Sequence, residues 1–265
     1  MVVQAAANAV TLQGAAGYLL KDTIGRSTVP RLPLLQNRYF ALRHGQSVAN
    51  MEGIISSDPA VGTVKHGLTT SGKVQARVAA TQLIEAVGRE ALDDLIFISS
   101  DFTRARETAE ECRAAVVRIT EFEREERAVS TLLLQVIGET FECPPAVIRQ
   151  ELRERYFGEL DGTVLLNYNK VWPADLIDSR HAGYGVESVQ DVCARMQRLF
   201  LSLEEQYAGK CMVLTSHADT LQIMQCYVAG ADERLFSQYR FKNGEVRALL
   251  QEQTSLPPPK PLSYN

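Results

Sequence analysis

Four short apolar runs limit what this chain can fold into: RYFALR at 38–43, DLIFISS at 94–100, KCMVLTSH at 210–217 and GEVRALL at 244–250. Each has the length of a strand. Between them lie TTSGKVQARVAATQLIEAVGREAL, FTRARETAEECRAAVV, VESVQDVCARMQRLFLSLEEQYAG and ADTLQIMQCYVAG, whose apolar residues recur at helical spacing. In the first of these helices Val74, Val78, Leu83 and Ile84 fall on or near one face. Strand and helix in alternation predict an α/β fold, with a mostly parallel sheet covered by helices on both faces. The stretch from about Arg118 to Ile148 fits the alternation least and reads as an extra helical excursion.

Composition narrows the class of protein. With 265 residues, 45% hydrophobic and 23% charged, the chain suits one large domain or two small ones. Its net charge of −4 gives no reason to expect nucleic acid or an anionic membrane as partner. The apolar runs are too short to span a bilayer. Five scattered cysteines with no C-x-x-C pair suggest free thiols in a reducing compartment, and a cytoplasmic location is expected. Residues 1–36 form an N-terminal extension of unassigned role. Its small apolar start lacks the basic region of a signal peptide, and an accessory helix packed on the domain is expected there. The main domain is placed at 37–252, and the segment 253–265, with SLPPPKP, reads as an extended tail.

In an open α/β sheet, ligands bind outside the carboxyl ends of the strands. Three strand ends here carry unusual chemistry: Arg43-His44-Gly45, SSDFTRAR with Arg104 one turn into the next helix, and LTSHAD with His217 at a strand end. Two arginines and two histidines converging on one spot make a pocket for a dianion. Transfer of a phosphoryl group is catalysed mainly by positioning and by stabilising charge on its oxygens. Arginine suits that task because its planar fork takes two oxygens at once. A neutral imidazole can attack phosphorus, and a second histidine can neutralise the charge that develops. The departing alkoxide needs a proton, which Glu154 in LRERYFGELDG can supply. Each residue alone has a blander reading: a hydrogen-bonded rim histidine, an Arg104 or Arg106 paired with Asp101 or Glu110, a solvated Glu154. A metal site at His44, His66 and His217 finds no support in their spacing, and neither metal nor cofactor is expected.

Six motifs in collinear order, from about Arg38 to Leu250, resemble the histidine phosphatase superfamily, which includes phosphoglycerate mutases and fructose-2,6-bisphosphatases. They are LRHGQSVAN, GLTTSGKVQA, SDFTRARETA, LRERYFGELDG, VESVQDV and TSHADTLQI. The resemblance implies a three-layer αβα sandwich of the phosphoglycerate mutase type. It also implies that His44 is the nucleophile, that Arg43, Arg104 and His217 hold the phosphoryl group, and that Glu154 is the proton donor. Asn50 matches a phosphate-contacting asparagine. Ser56 and Ser57 stand where the family has a Ser/Thr-Gly turn, and Ala218 replaces a glycine but keeps its backbone N–H at a helix start. Mutases resembling this chain carry a tyrosine where Phe157 stands, a lysine at Leu165, an Arg-Arg pair over the site, and an asparagine at Asp219. Lacking those cations, the chain is expected to pass the phosphoryl group to water, as a phosphatase acting on a small-molecule phosphate ester, a sugar phosphate or bisphosphate foremost. A phosphoglycerate mutase and a non-catalytic phosphate-binding scaffold are the alternatives, and oligomerisation is left open. Lys65, His66, Lys170, Arg180 and His181 lie in segments able to form the pocket wall.

Overall fold

A computed structural model of the chain describes residues 25–130, 141 and 143–262, with only the backbone for 125–130. Five strands form one sheet: β1 (Arg38–Arg43), β2 (Leu95–Ser99), β3 (Val147–Ile148), β4 (Cys211–Ser216) and β5 (Val246–Leu249), in the order β3-β2-β4-β1-β5. The first four are parallel and β5 is antiparallel to β1. Four long helices cover it: α1 (Thr70–Val87), α2 (Thr103–Ser130), α3 (Val189–Gln206) and α4 (Ala218–Val228). The architecture is the three-layer αβα sandwich.

Strand alternation explains the layers. In β1, Tyr39 and Ala41 face a cluster with Met196 and Leu199 of α3 and Leu221 and Met224 of α4. Phe40 and Leu42 face the opposite cluster, with Leu83 and Ile84 of α1 and Cys112 and Val116 of α2. Strands buried on both faces must be apolar throughout, which is why RYFALR and KCMVLTSH are continuous runs without polar alternation. All five cysteines are buried free thiols. Among the described residues no helix is long and apolar enough to cross a membrane.

Three expectations need correction. Val74 and Val78 are half exposed, whereas Leu83 and Ile84 are buried, together with Gly72, Ala76, Ala79, Ala80 and Val87. Gly72 and three alanines belong to its buried stripe, which lets the helix lie close to its neighbours, and Val74 and Val78 sit outside that stripe. The helix also stops at Val87, where Gly88 at φ 87° breaks it and a 3-10 turn, Arg89–Asp94, follows. The excursion after Arg118 begins as a continuation of α2, which runs on to Ser130. It returns as the two-residue edge strand β3, and its centre lies outside the described residues. Most of the N-terminal extension, with the helix expected there, also lies outside them. Residues 25–36 carry no helix or strand; Val29, Leu32 and Leu35 pack on the α3–α4 cluster, and Arg31 pairs with Glu233 at 3.0 Å. The Pro-rich end also lies against the body, through Leu256, Leu262 and a bond from Lys260 N to Gln238 O.

What matters for function is the position of β4. It inserts between β2 and β1, pairing Arg43 with Ser216 and Ser99 with Thr215. Three strands far apart in sequence therefore end side by side, at the edge of the sheet where the chain reverses its order.

Candidate active site

The end of β1 is fixed first. His44 N donates to Ser216 O at 3.0 Å, carrying the ladder one residue beyond the strand. Gly45 then passes directly over the first turn of α1: a Cβ there would lie 2.3 Å from Gly72 O, and one on Gly72 would lie 2.1 Å from Gln46 O. The two glycines belong to different motifs but answer one steric need. Gln46 O accepts from Thr69 N and Ser47 caps the turn Val48–Glu52 with a capping box, which seats Asn50.

His44 is 3% exposed. Its Nδ1 lies 2.7 Å from its neighbour Gly45's carbonyl oxygen, which can only accept, so Nδ1 carries the proton and Nε2 keeps its lone pair. Arg104 Nε donates to that Nε2 at 3.3 Å. Burial, reinforced by the charges of Arg104 and Arg43, holds the ring's pKa well below the usual histidine range. His217, fully buried, sits 5.2 Å away between ring centroids, with Nε2 3.0 Å from Ser100 Oγ and Nδ1 without a partner among the described residues. Burial and then Arg104 and His44 keep it neutral in the same way.

Arg104, 3% exposed, donates to Ser56 O at 2.7 Å and Ser56 Oγ at 3.3 Å. It is no surface ion pair; Asp101 pairs with Arg153 instead. Burial in this cationic group pushes it down to about 10. Arg43 donates through Nη1 to Phe241 O at 2.6 Å, while its buried Nε has no partner among the described residues. Burial lowers its pKa too, partly offset by Glu154. Glu154 Oε1 accepts from Arg155 N at 2.9 Å and from Thr220 N and Oγ1, both at 3.3 Å.

Arg43, His44, Asn50, Ser56, Arg104, Glu154 and Ala218 all line one cavity of ≈ 180 Å³. His217 stands behind it, and Ala218 holds an ordinary helical backbone after the cap residue His217. Ser57 lies elsewhere: its Oγ donates to Asp161 at 2.7 Å and accepts from Phe157 N, so it ties the loop under the pocket. Lys65, His66, Lys170, Arg180 and His181 are likewise outside the lining; His66 bonds Ser56 Oγ from behind, and Arg180 pairs with Asp178. Among the described residues no group of three or more His, Cys, Asp or Glu could hold a metal ion.

The rest of the cavity wall is Leu165, Tyr168, Trp172, Asp219, Gln222, Arg240 and Phe241, with Ser47, Ala49 and Ile54. Sequence reasoning left Tyr168, Trp172, Gln222, Arg240 and Phe241 unassigned. Tyr168 stacks on Trp172 at 4.7 Å, and Arg240 lies over the other face of the site, 5.5 Å from the Trp172 ring centre. Trp172 is the chain's single tryptophan, and its place in an irregular segment was the one signal available. Asp219 points into the site, 2% exposed and bonded by the Trp172 indole at 3.0 Å.

The fold and this histidine–arginine cluster define an α/β protein with an anion pocket at the carboxyl ends of its strands. The family model of the histidine phosphatase superfamily (branch 1) matches residues 39–129 and 124–255, and the chain belongs to that superfamily. No curated protein matches it. Solved structures do. The Rv3214 protein of Mycobacterium tuberculosis is 18% identical at a TM-score of 0.59, over 87% of this chain and 100% of that one. A mycobacterial glucosyl-3-phosphoglycerate phosphatase in complex with VO3 is 22% identical at 0.55, over 80% and 92%. The alpha-ribazole phosphatase of Shigella flexneri is 24% identical at 0.53, over 80% and 89%.

Proposed function

We propose that the protein is a metal-independent phosphatase that hydrolyses small-molecule phosphomonoesters through a phosphohistidine on His44. The observation that carries this reading is the state of His44: a neutral ring whose Nδ1 proton is bound to Gly45 O and whose Nε2 lone pair is turned to the arginine cluster. Nε2 attacks phosphorus; the ester bond breaks, and the leaving oxygen takes a proton from Glu154. Water then attacks the phosphohistidine, returning a proton to Glu154, and inorganic phosphate leaves. The partnerless Arg43 Nε and His217 Nδ1 are buried donors suited to phosphoryl oxygens, with Arg104 and the Ala218 N–H beside them. A dianion between the two rings would draw a proton onto His217 that burial otherwise keeps away.

The leaving-group side supports hydrolysis over mutase chemistry. Leu165 lines the cavity where the resemblance sets a mutase lysine, and Phe157 is buried in an apolar cluster with Ile55 and Leu160. Arg240 gives that side a cation for a second anionic group, which favours a sugar phosphate or bisphosphate. Two of the similar structures are phosphatases of phosphorylated glycosides or ribosides by name, which agrees with this class. Incubation with a 32P-labelled phosphomonoester, with and without EDTA, should trap acid-labile, base-stable label on the wild type. Full turnover by His44→Ala overturns the proposal.

A further inference from the structure

The segment 241–245, between the 3-10 turn Glu233–Gln238 and β5, is stitched to the end of β1. Arg43 N donates to Glu245 O at 3.1 Å, and Gly244 N donates to Arg43 O at 3.1 Å and to His44 O at 3.3 Å. Phe241 O takes the Arg43 guanidinium. On the segment's own side these contacts use only backbone, so they place no demand on the side chain at 243. That side chain nevertheless reaches the cavity wall twice. Asn243 Nδ2 donates to His44 O at 3.0 Å and to Asn50 Oδ1 at 3.3 Å. Both hydrogens of one amide thus go to residues that line the cavity, while Asn243 does not line it and acts only through them.

Each bond settles something about its acceptor. The peptide joining His44 to Gly45 is held at both ends, its oxygen by Asn243 and Gly244 and its nitrogen by Thr108 Oγ1 at 3.1 Å. Asn50 Oδ1 accepts from Ser47 N and Ser47 Oγ, both at 3.1 Å, as well as from Asn243. Reversing that amide would set its NH2 against the Ser47 N–H and the Asn243 NH2, so the oxygen stays on their side. Nδ2 is then the end of Asn50 left for the cavity. The capping box by itself accounts for Ser47; Asn243 adds the tie between the Asn50 amide and the backbone of His44.

We propose that Asn243 is a positioning residue whose amide locks His44 and Asn50 in one register, so that His44 Nε2 and Asn50 Nδ2 address the same phosphoryl group. Its part in turnover rests on the phosphatase reading; the lock itself does not. A misplacement of about 1 Å in such a constellation costs about 10²-fold in rate.

Asn243→Ala should lower kcat on 4-nitrophenyl phosphate by about 10- to 10²-fold. Asn50→Ala removes one of the two groups through which Asn243 acts. The double variant should therefore fall short of the product of the single losses by at least about threefold. A residue that only braced the fold would give losses that multiply, and that result overturns the proposal. Asn243→Asp keeps the shape and removes the donor, so it carries the same cycle where the alanine variant does not fold; full kcat in it also overturns the proposal. The lock is read without turnover in 15N–1H spectra, where the Asn50 side-chain amide is assigned by its loss in Asn50→Ala. Inorganic phosphate should shift that signal in the wild type and shift it less in Asn243→Asp. An equal response in both, or none in the wild type, overturns the proposal. A wild type that releases no phosphate from esters yet shows the Asn243-dependent response sinks the phosphatase reading and keeps the lock.

Discussion

The two halves of the cavity are built on different principles. The half proposed to hold the phosphoryl group, Arg43, His44, Arg104 and His217, gathers where β1, β2 and β4 end: sheet register sets Arg43 and seats His44 and His217 just beyond it, and Arg104 stands in the first turn of α2. The leaving-group half, Glu154, Leu165, Tyr168, Trp172 and Arg240, hangs from 3-10 turns and loops between β3 and α3 and after α4. The first half is crowded with cations around two neutral rings. The second holds one carboxylate and one cation, Glu154 and Arg240, and borders Asp219, whose guanidinium neighbour Arg155 is gripped by Asp175. On the proposed reading, the cationic frame serves the reaction and the other wall selects the substrate.

The largest break in that contrast is His44→Ala. It removes the proposed attacking atom from the ordered half, and kcat on 4-nitrophenyl phosphate should fall by at least about 10⁴-fold with the circular dichroism unchanged. Arg104→Ala should cost about 10²–10³-fold in kcat. It should leave stability nearly intact, because Arg104 is desolvated among like charges and opposes folding there. Arg155→Ala in the other half should do the reverse. It strands Asp175 and Asp219 without their cation, and urea unfolding should show a loss of about 3–5 kcal/mol.

The same contrast explains what could be read from the sequence. Strand ends can be located from their apolar runs, and although Arg-His-Gly alone reads as an ordinary polar break, its joint occurrence with Arg104, Glu154 and His217 in collinear motifs makes the site legible. The glycines of LRHGQSVAN and GLTTSGKVQA were visible as letters, but their shared purpose, one backbone crossing another, appears only in three dimensions. Val74 and Val78 were misassigned because hydrophobicity outweighs size in a periodicity reading, whereas close packing at α1 selects alanine. Tyr168, Trp172 and Arg240 were illegible for a deeper reason. Loops have no period, so which side of a 3-10 turn meets the cavity depends on packing by distant elements such as Phe236 and Tyr239.

Gly72→Ala tests the frame without touching its chemistry. The added Cβ would meet the backbone oxygen of Gln46, which cannot swing aside, so the loop carrying His44 must shift. A loss of about 1–3 kcal/mol in chemical unfolding is expected. The accompanying fall in kcat should exceed any change in KM, since the proposed nucleophile moves and the outer wall does not.

The smallest expected effect separates the halves by the sign of their response to pH. His44 and His217 have folded pKa values depressed below the ordinary histidine value, so they bind protons more readily when unfolded. Their contribution to stability is present above about pH 6.5 and is lost as pH falls below it. Asp219 is raised from 3.8 to about 7, so it binds its proton more readily when folded. Its contribution is present below about pH 4 and is lost as pH rises through 7. Melting temperature should therefore pass through a maximum on the weakly acidic side of neutrality. Asp219→Asn should remove the decline that ends near pH 7 while leaving the acid limb in place. His217→Gln should soften the acid limb and leave the other side alone. Limbs that move together in either variant would show that the two walls titrate as one cluster, with no division between frame and selector.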